Sequence, residues 1–334
     1  MKGVCVWGHM AYRLKLKESL VKGVRRIAAE QLANAVARLQ GDSDPASGVH
    51  EARKSLKRTR ALLRLVRPGL GETQFRKFNE RLRDIARTLS AARDRDVVRA
   101  HLARLTQAER PASKAKPSIA KAAGRLSTLL DEASVDGTGP RAPARNMAEA
   151  LAEIDAVRDD LAAIELHPAS FETIVAGLTK SHRSGCKTLA RALASPDEEE
   201  ALHDLRKAAQ AYWRQMILVQ HAWPEVCLAR AAAAKHVADL LGHDHDVSLL
   251  EGVIAGPEAQ ALTRAERGVL TRYCTARHAE MRGAVLPKAQ LLFAERSERL
   301  GERMRYLWDI SRKAARPAAS RAPADEAAGD RKSS

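Results

Sequence analysis

Aromatic side chains are scarce in this 334-residue sequence, where phenylalanine, tryptophan and tyrosine together account for 4% of the residues. Runs of alternating β-branched residues are also missing, while alanine, leucine and arginine dominate. This composition argues against a β-sheet and predicts an all-α protein. The four cysteines, Cys5, Cys186, Cys227 and Cys274, are far apart and form no Cys-x-x-Cys pair. Neither a zinc knuckle nor a disulfide framework is indicated, and a reducing, cytoplasmic setting fits best.

Long apolar runs are absent as well. No stretch approaches the roughly 18 residues that cross a bilayer, and the first residues lack the apolar core of a secretory signal, so we expect a soluble, cytoplasmic protein. Acidic residues are outnumbered, with 41 Asp and Glu against 57 Lys and Arg, which gives a formal net charge of +16. This balance predicts an anionic partner; on charge alone, nucleic acid, a membrane surface and an inorganic polyanion are all eligible.

The positive charge is concentrated in one stretch, His50 to Arg67, which holds seven Lys or Arg and one acid. At about 100° per residue, one side of a helix in this stretch is basic and consists of His50, Arg53, Lys57, Arg60, Arg64 and Arg67. We call these six residues the basic ridge. A charged helix face is usually only solvated, but the acids that normally alternate with Lys and Arg on such a face are nearly absent here. The basic ridge therefore predicts an anion-binding surface.

The apolar periodicity divides the chain into two helical halves. In the first half it predicts helices over residues 16–40, 50–67, 72–89, 94–105 and 119–132, with the second one ending at Pro68-Gly69. In the second half it predicts helices over residues 147–164, 170–193, 198–220, 226–241 and 246–254, then a long pair ending near residue 312. The expected organisation is a first helical repeat (13–105), an irregular connection (106–146), a second helical repeat (147–312) and a disordered tail (313–334), with Met1 or Met10 as the natural start.

Several sequence blocks occur twice, in the same order and at nearly the same offset. Val49–Lys54 aligns with Leu202–Lys207 at an offset of 153 residues, and Leu89–Asp94 aligns with Leu241–Asp246 at an offset of 152. The shorter matches are Gly23 with Gly177, Arg26 with Lys180, and Arg83 with Lys235. This repeat predicts two similar helical bundles related by a pseudo-twofold axis, with the two His-x-x-Arg-Lys sequences facing each other.

These blocks resemble the CHAD domain, the conserved-histidine α-helical domain family. In the first half, His50–Arg60 matches the family's first His-x-x-Arg-(x)3-Lys/Arg-Arg-x-Arg helix, and Arg93-Asp94 matches the Arg-Asp that follows it. In the second half, His203–Lys207 with Trp213, and then Leu240–Asp246, match the second set. The resemblance covers about residues 13 to 312. It implies two antiparallel helical bundles whose basic faces line a central groove or pore that takes inorganic polyphosphate.

The resemblance also implies individual phosphate contacts, from His50, Arg53, Lys54, Lys57 and Arg60 in the first repeat and from His203, Arg206 and Lys207 in the second. The second repeat departs from the first because Gln210 and Ala211 stand where the first has Lys57 and Arg58, so we expect the first repeat to bind more strongly. The full set of predicted polyphosphate-binding residues adds Arg26, Arg64, Arg83, Lys180, Arg183, Lys187, Arg214 and Lys235.

Some of these residues have a plain structural interpretation. Lys180, Arg183 and Lys187 have helical spacing but could equally be ordinary surface. His50 and His203 could be capping or core histidines, although their duplication in register favours a phosphate contact. Asp94 and Asp246 are predicted to support the site by pairing with a neighbouring Arg or His that points into the groove.

The preferred interpretation is a non-enzymatic polyphosphate-binding protein, with polyphosphate granules as a candidate location and no membrane partner. No catalytic residue, metal ligand or cofactor is predicted, other polyanions remain candidate ligands, and the oligomeric state is open. One alternative is a metal-dependent phosphohydrolase of the HD type, because His203-Asp204 and His243–Asp246 offer ligand chemistry, although the first repeat has no such dyad. The other is a nonspecific nucleic-acid-binding protein, which the few aromatic residues disfavour.

Overall fold

The computed structural model describes residues 12–41, 44–89, 93–108, 118–135 and 143–315. Within these ranges every regular element is a helix, so the predicted all-α class is confirmed. The α-helices of the described residues are α1 (Leu20–Gly41), α2 (Pro45–Leu70), α3 (Glu72–Thr88), α4 (Arg93–Ala108), α5 (Ile119–Val135), α6 (Pro143–Ala162), α7 (Phe171–Ala194), α8 (Glu199–Leu218), α9 (Pro224–Ala255), α10 (Arg264–Leu292) and α11 (Ser297–Ala314). Two short 3-10 helices, Gln220–Ala222 and Pro257–Ala261, flank α9.

The helix that carries the basic ridge, α2, is longer than the periodicity predicts. It begins at Pro45 and continues through Pro68 to Leu70, so the predicted end at Pro68-Gly69 is wrong. Pro45 suits the first turn because the amide hydrogen that it lacks would have no acceptor there. Gly71, with φ of 83°, adopts the left-handed conformation, and its amide donates to the carbonyl of Arg67 at 3.1 Å. This glycine, and not the proline, ends the helix.

Helix α9 is continuous, and the predicted break between residues 241 and 246 is wrong. Gly242 lies in the middle of α9 against the side chain of Arg206, where an added Cβ would come within 3.1 Å of Nη2. Asp244 is buried, and its Oδ1 lies 2.6 Å from Nδ1 of His278 and 3.3 Å from Nε of Arg282, both on α10. These tertiary contacts override the weak helix propensity of the Gly-His-Asp-His sequence.

The helices recur in the order that the sequence repeat predicts. Helices α1 and α2 correspond to α7 and α8, α5 and α6 correspond to α10 and α11, and α3 with α4 corresponds to the single helix α9. In both halves the first helix packs against the second and the last, since α1 contacts α2 and α6 while α7 contacts α8 and α11. This doubled plan agrees with the predicted pair of helical bundles.

Helix α2 joins the two halves. It packs against α1 and α3 of its own half and against α7 and α8 of the other. The approach to α7 is close because Gly177 has no side chain: a Cβ there would lie 1.7 Å from the carbonyl oxygen of Leu65. The two helices are therefore in direct backbone contact, and this contact sets where the second half sits on the first.

The apolar side chains form two clusters. The larger one includes Leu62, Leu65 and Val66, which are fully buried on the side of α2 that lies away from the basic ridge. The smaller one joins α4, α5, the second half of α9 and the first half of α10, with Leu102 and Leu250 fully buried. The second half of α9 is thus anchored in its own apolar cluster, beside the larger core.

Parts of the predicted organisation lie outside the described residues. These parts are the start at Met10, the tail beyond residue 315, and residues 109–117 and 136–142 of the predicted connection. Helix α5 occupies the middle of that connection, and α11 extends to Ala314, past the predicted start of the tail. The domain boundaries stay predictions. None of the described helices is long and apolar enough to span a membrane.

We expect Gly177→Ala to lower the free energy of unfolding by about 3 kcal/mol, because the new Cβ would collide with backbone that cannot move aside as a side chain could. Urea unfolding followed by far-ultraviolet circular dichroism measures this change. Gly252→Ala on α9 is the matched control, since an added Cβ there meets nothing within 4 Å. This control should gain about 0.5–1 kcal/mol from helix propensity. Equal stability of the two variants would contradict the close packing of α7 on α2.

Candidate functional site

A cavity of about 350 Å³ lies between α2 and α8, with α4 and α9 completing its wall. Its volume is within the range of small-ligand sites. We call it the basic cavity. Its lining residues are Arg53, Lys57, Arg60, Ala61 and Arg64 of α2, Val97 of α4, His203, Arg206, Lys207, Gln210, Ala211 and Arg214 of α8, and His245, Asp246 and Leu249 of α9.

Positive charge dominates the lining. Seven of the lining residues are Lys or Arg, two are His, and Asp246 is the single acid among the described residues that form the wall. Because the apolar sides of α2 and α8 are packed in the larger core, the charged sides of both helices are directed to the same space. The cavity is therefore a region of concentrated positive potential, which favours a multivalent anion.

Helical spacing arranges the cations in two rows. On α2, Arg53, Lys57, Arg60 and Arg64 follow each other at intervals of three or four residues, which is about one turn or 5.4 Å. On α8, His203, Lys207, Gln210 and Arg214 have the same spacing. The two rows can therefore contact successive charges along an extended ligand.

Burial and repulsion from neighbouring cations disfavour the charged forms of Arg60 and Arg64. Burial, together with the charges of Arg64 and Arg83, lowers the pKa of Arg60 to about 10, although its Nε donates to Oδ1 of Asn79 at 3.0 Å. Burial also lowers the pKa of Arg64, with the charge of Arg67 adding to the effect. The pKa of Arg60 remains well above neutral pH, so this arginine stays charged while it repels its neighbours.

Arg214 is a third buried cation in the wall. Its guanidinium stacks on the ring of Trp213, with Cζ 4.5 Å from the ring centroid, and its Nη1 donates to the carbonyl of Gln210 at 2.8 Å. Burial and the charges of Arg58 and Arg64 together lower the pKa of Arg214 to about 10, although Tyr12 opposes them. The stacking and the hydrogen bond hold this side chain in place.

Two histidines lie next to each other in the wall. The ring centroids of His203 and His245 are 5.6 Å apart. Burial lowers the pKa of His203, and the charges of Lys207, His245 and Arg206 lower it further. The sequence predicts His203 as a binding residue but does not predict His245. The alignment of His245 with Arg93 in the repeat is the signal that could have identified it.

The other predicted binding residues do not line the basic cavity, and most of them form local ion pairs. Their partners are Glu18 and Glu30 for Arg26, Glu51 for Lys54, Asp84 for Arg83, Glu298 for Arg183 and Asp239 for Lys235. Lys180 and Lys187 are exposed on α7, and His50 lies on α2 one turn before Arg53. Helical spacing alone predicts a shared surface for them, but the packing of α7 on α2 and α8 directs its charged side elsewhere.

The predicted supporting residues are Asp94 and Asp246. Asp246 lies in the wall of the cavity itself, and its charge raises the pKa of His101 on α4 against a larger lowering by burial. The buried carboxylate that pairs with a histidine and an arginine is Asp244, two residues earlier on α9. The side chain of Asp94 lies outside the described residues.

The carboxylates of the predicted metal-ligand sequences are in ion pairs. Oδ1 of Asp204 accepts from Lys207 at 3.0 Å, its Oδ2 accepts from Arg191 at 3.3 Å, and Asp244 is held by α10. In the described part of the chain, no three His, Cys, Asp or Glu side chains form a group that could hold a metal ion.

Two solved structures share this fold. The crystal structure of the CHAD domain from the plant Ricinus communis matches with a TM-score of 0.54 and 19% identity, covering 86% of this chain and 95% of that chain. PptA from Streptomyces chartreusis matches with a TM-score of 0.51 and 16% identity, covering 89% of this chain and all of that chain. At these identities the likeness concerns the fold alone.

Sequence comparison is more specific about the family. No curated protein is significantly similar to the chain in sequence. The family model of the CHAD domain matches residues 26–255, which is more than half of the chain and includes α2, α8 and the lining residues of α9. The chain therefore belongs to the CHAD domain family.

Proposed function

We propose that the basic cavity binds inorganic polyphosphate and that the protein is a binding protein and not an enzyme. The observation that carries the proposal is the convergence of seven Lys and Arg side chains from two helices on one cavity that contains a single acid. Surface cations are normally dispersed or paired with acids, as they are elsewhere on this chain. A cavity of this kind needs an anion of high charge to become electrostatically favourable.

The spacing of the cations suits a linear polyanion. Polyphosphate carries about one negative charge on each phosphate along a flexible chain, and the cations of α2 recur about every 5.4 Å. Arginine can donate to two phosphate oxygens at once, whereas lysine contributes a compact charge. A flexible chain that threads between α2 and α8 would meet cations from both helices along its length.

The lowered pKa values of Arg60, Arg64 and Arg214 support the same ligand. In the free protein these three side chains are partly removed from water, and Arg60 and Arg214 both feel the charge of Arg64. A bound polyanion would replace that repulsion with attraction in a region that water screens poorly. Binding should therefore stabilise the fold as well as the complex.

The two rows contribute unequally. The row on α2 has four permanent cations, whereas on α8 the neutral residues Gln210 and Ala211 occupy positions that are basic in the first repeat. We expect α2 to supply most of the affinity and α8 to confine the ligand. Localisation to polyphosphate granules in the cytoplasm would follow from such binding.

Nucleic acid is the main competing ligand. Base stacking needs exposed aromatic rings, and none of the described residues that line the basic cavity is Phe, Tyr or Trp. The backbone of a nucleic acid could still be attracted by the charge, but its bases would gain nothing from the wall. We therefore expect nucleic acid to bind more weakly than polyphosphate.

A competition experiment tests the proposed function. Polyphosphate, triphosphate and duplex DNA are titrated at two salt concentrations, and the products are analysed with and without a divalent metal. We expect polyphosphate to bind most tightly, with a logarithmic salt slope of up to about −5 if all seven cations engage. Release of phosphate would instead indicate an enzyme, and a preference for DNA would indicate a nucleic-acid-binding protein.

Charge reversal of one lysine in each row tests the site and its asymmetry. We expect Lys57→Glu to weaken polyphosphate binding by at least about tenfold and Lys207→Glu to weaken it less, because Lys57 lies in the more basic row. Arg264→Glu and Arg272→Glu on the exposed side of α10 change the net charge equally without touching the cavity. If these controls lose as much affinity as Lys57→Glu, only net charge matters and the site assignment is wrong.

Arg64→Met separates a binding role from a structural one. Because Arg64 is half-buried among like charges, we expect this variant to unfold at a free energy about 1 kcal/mol higher than the parent protein. The same variant should bind polyphosphate more weakly, as measured by calorimetric titration. Lower stability together with unchanged affinity would show that Arg64 serves the fold and not the ligand.

A further inference from the structure

His245 enters the basic cavity from α9, a helix that the two cationic rows do not include. Its ring is half-buried, and its centroid lies 5.6 Å from that of His203 on α8. Nδ1 of His245 is 3.5 Å from Oε1 of Glu199 at the start of α8. The two imidazoles therefore form a pair at one end of the wall, where α8 and α9 meet.

The sequence repeat allows His245 to be compared with the residue at the same position of the first repeat. His245 aligns with Arg93, within the block that is repeated at an offset of 152 residues. At this position the first repeat carries a permanent cation and the second repeat carries a group that titrates near neutral pH. The second repeat therefore has a site whose charge depends on the conditions.

Among the described residues, four cations and three acids from three helices surround the pair. They are Glu199, Asp204, Arg206 and Lys207 of α8, Asp246 of α9, and Arg53 and Lys57 of α2, while Val97 is the residue that α4 adds to the described wall. The pKa of His203 lies below its ordinary value because of burial first and then because of the charges of Lys207, His245 and Arg206. In the free protein, burial and the neighbouring cations therefore disfavour a positive charge on the imidazole of His203.

We propose that His203 and His245 form a proton-linked part of the polyanion site, so that binding draws a proton onto the pair and affinity rises as the pH falls. This inference rests on the proposed function, and it adds a pH dependence to it. A polyanion in the cavity makes the local potential negative, which favours the imidazolium form, and a protonated imidazole can donate from both ring nitrogens. The pair then supplies charge only when a ligand is present.

The sign of the effect follows from linkage. The imidazole is more readily protonated in the complex than in the free protein, so the extra affinity is fully present below the pKa of the free state. It is lost as the pH rises through the pKa of the complex. Because burial holds the pKa of His203 in the free protein below the ordinary value of about 6.5, the extra affinity is complete only on the acid side of that value and is lost as the pH rises.

The experiment measures binding of inorganic polyphosphate of one chain length between about pH 6 and about pH 8, where histidine titrates. Calorimetry in two buffers of different ionisation enthalpy reports the protons taken up. We expect the parent protein to bind about tenfold more tightly at the lower pH and to take up about one proton. His245→Arg, which places in the second repeat the residue found in the first, should bind more tightly than the parent at the higher pH and show a weaker pH dependence.

Two further variants make the result decisive. The double variant His203→Gln/His245→Gln should bind with little pH dependence. If His245→Arg fails to fold, this double variant still tests whether the two histidines cause the pH dependence. His236→Gln, at an exposed position of α9 outside the basic cavity, should behave like the parent. All variants are measured with the same polyphosphate. Protonation of its terminal phosphates therefore contributes equally to every titration and does not affect the comparison between variants. If the double variant binds with the parent's pH dependence, the inference is overturned and the proposed function stays intact. If the parent protein does not bind polyphosphate at any pH, the proposed function itself is contradicted.

Discussion

Repulsion between like charges is the constraint on which this structure depends. Seven Lys and Arg side chains line one cavity, and Asp246 is the single acid among the described residues of its wall. The energy that holds them together comes from elsewhere, from the fully buried apolar sides of α2 and α8 and from the backbone contact that Gly177 allows. The apolar core thus stabilises a charge arrangement that would not form by itself, and it leaves the anion to complete the balance.

The parts of this arrangement that follow from periodicity could be predicted. Charged residues at three- and four-residue intervals define one side of α2, and the repeat defines a second helix of the same kind. Both are local or nearly local properties, and the structure places Arg53, Lys57, Arg60 and Arg64 together in the wall. Sequence spacing is sufficient here because the opposite side of the same helix is apolar and has only one way to pack.

What could not be predicted depends on contacts between distant segments. Lys180 and Lys187 have the same spacing as the basic ridge, yet they lie on an exposed side of α7 because the other side of that helix packs on α2. The Gly-His-Asp-His sequence looks like a helix end until Asp244 is seen to pair with His278, which lies 34 residues further on. Propensity is a weak guide wherever a tertiary contact of this strength is present.

The asymmetry between the repeats has a physical logic. If both rows carried the full charge of α2, a guanidinium as deeply buried as that of Arg214 would face still more repulsion, and its pKa is already lowered to about 10. Neutral residues at Gln210 and Ala211 reduce that repulsion, and the carbonyl of Gln210 accepts a hydrogen bond from Arg214. A histidine at position 245 acts in the same direction, because it stands where the first repeat has the permanent cation Arg93. The second repeat therefore limits the repulsion in the free protein, and this limit allows the first repeat to keep its full row of permanent cations.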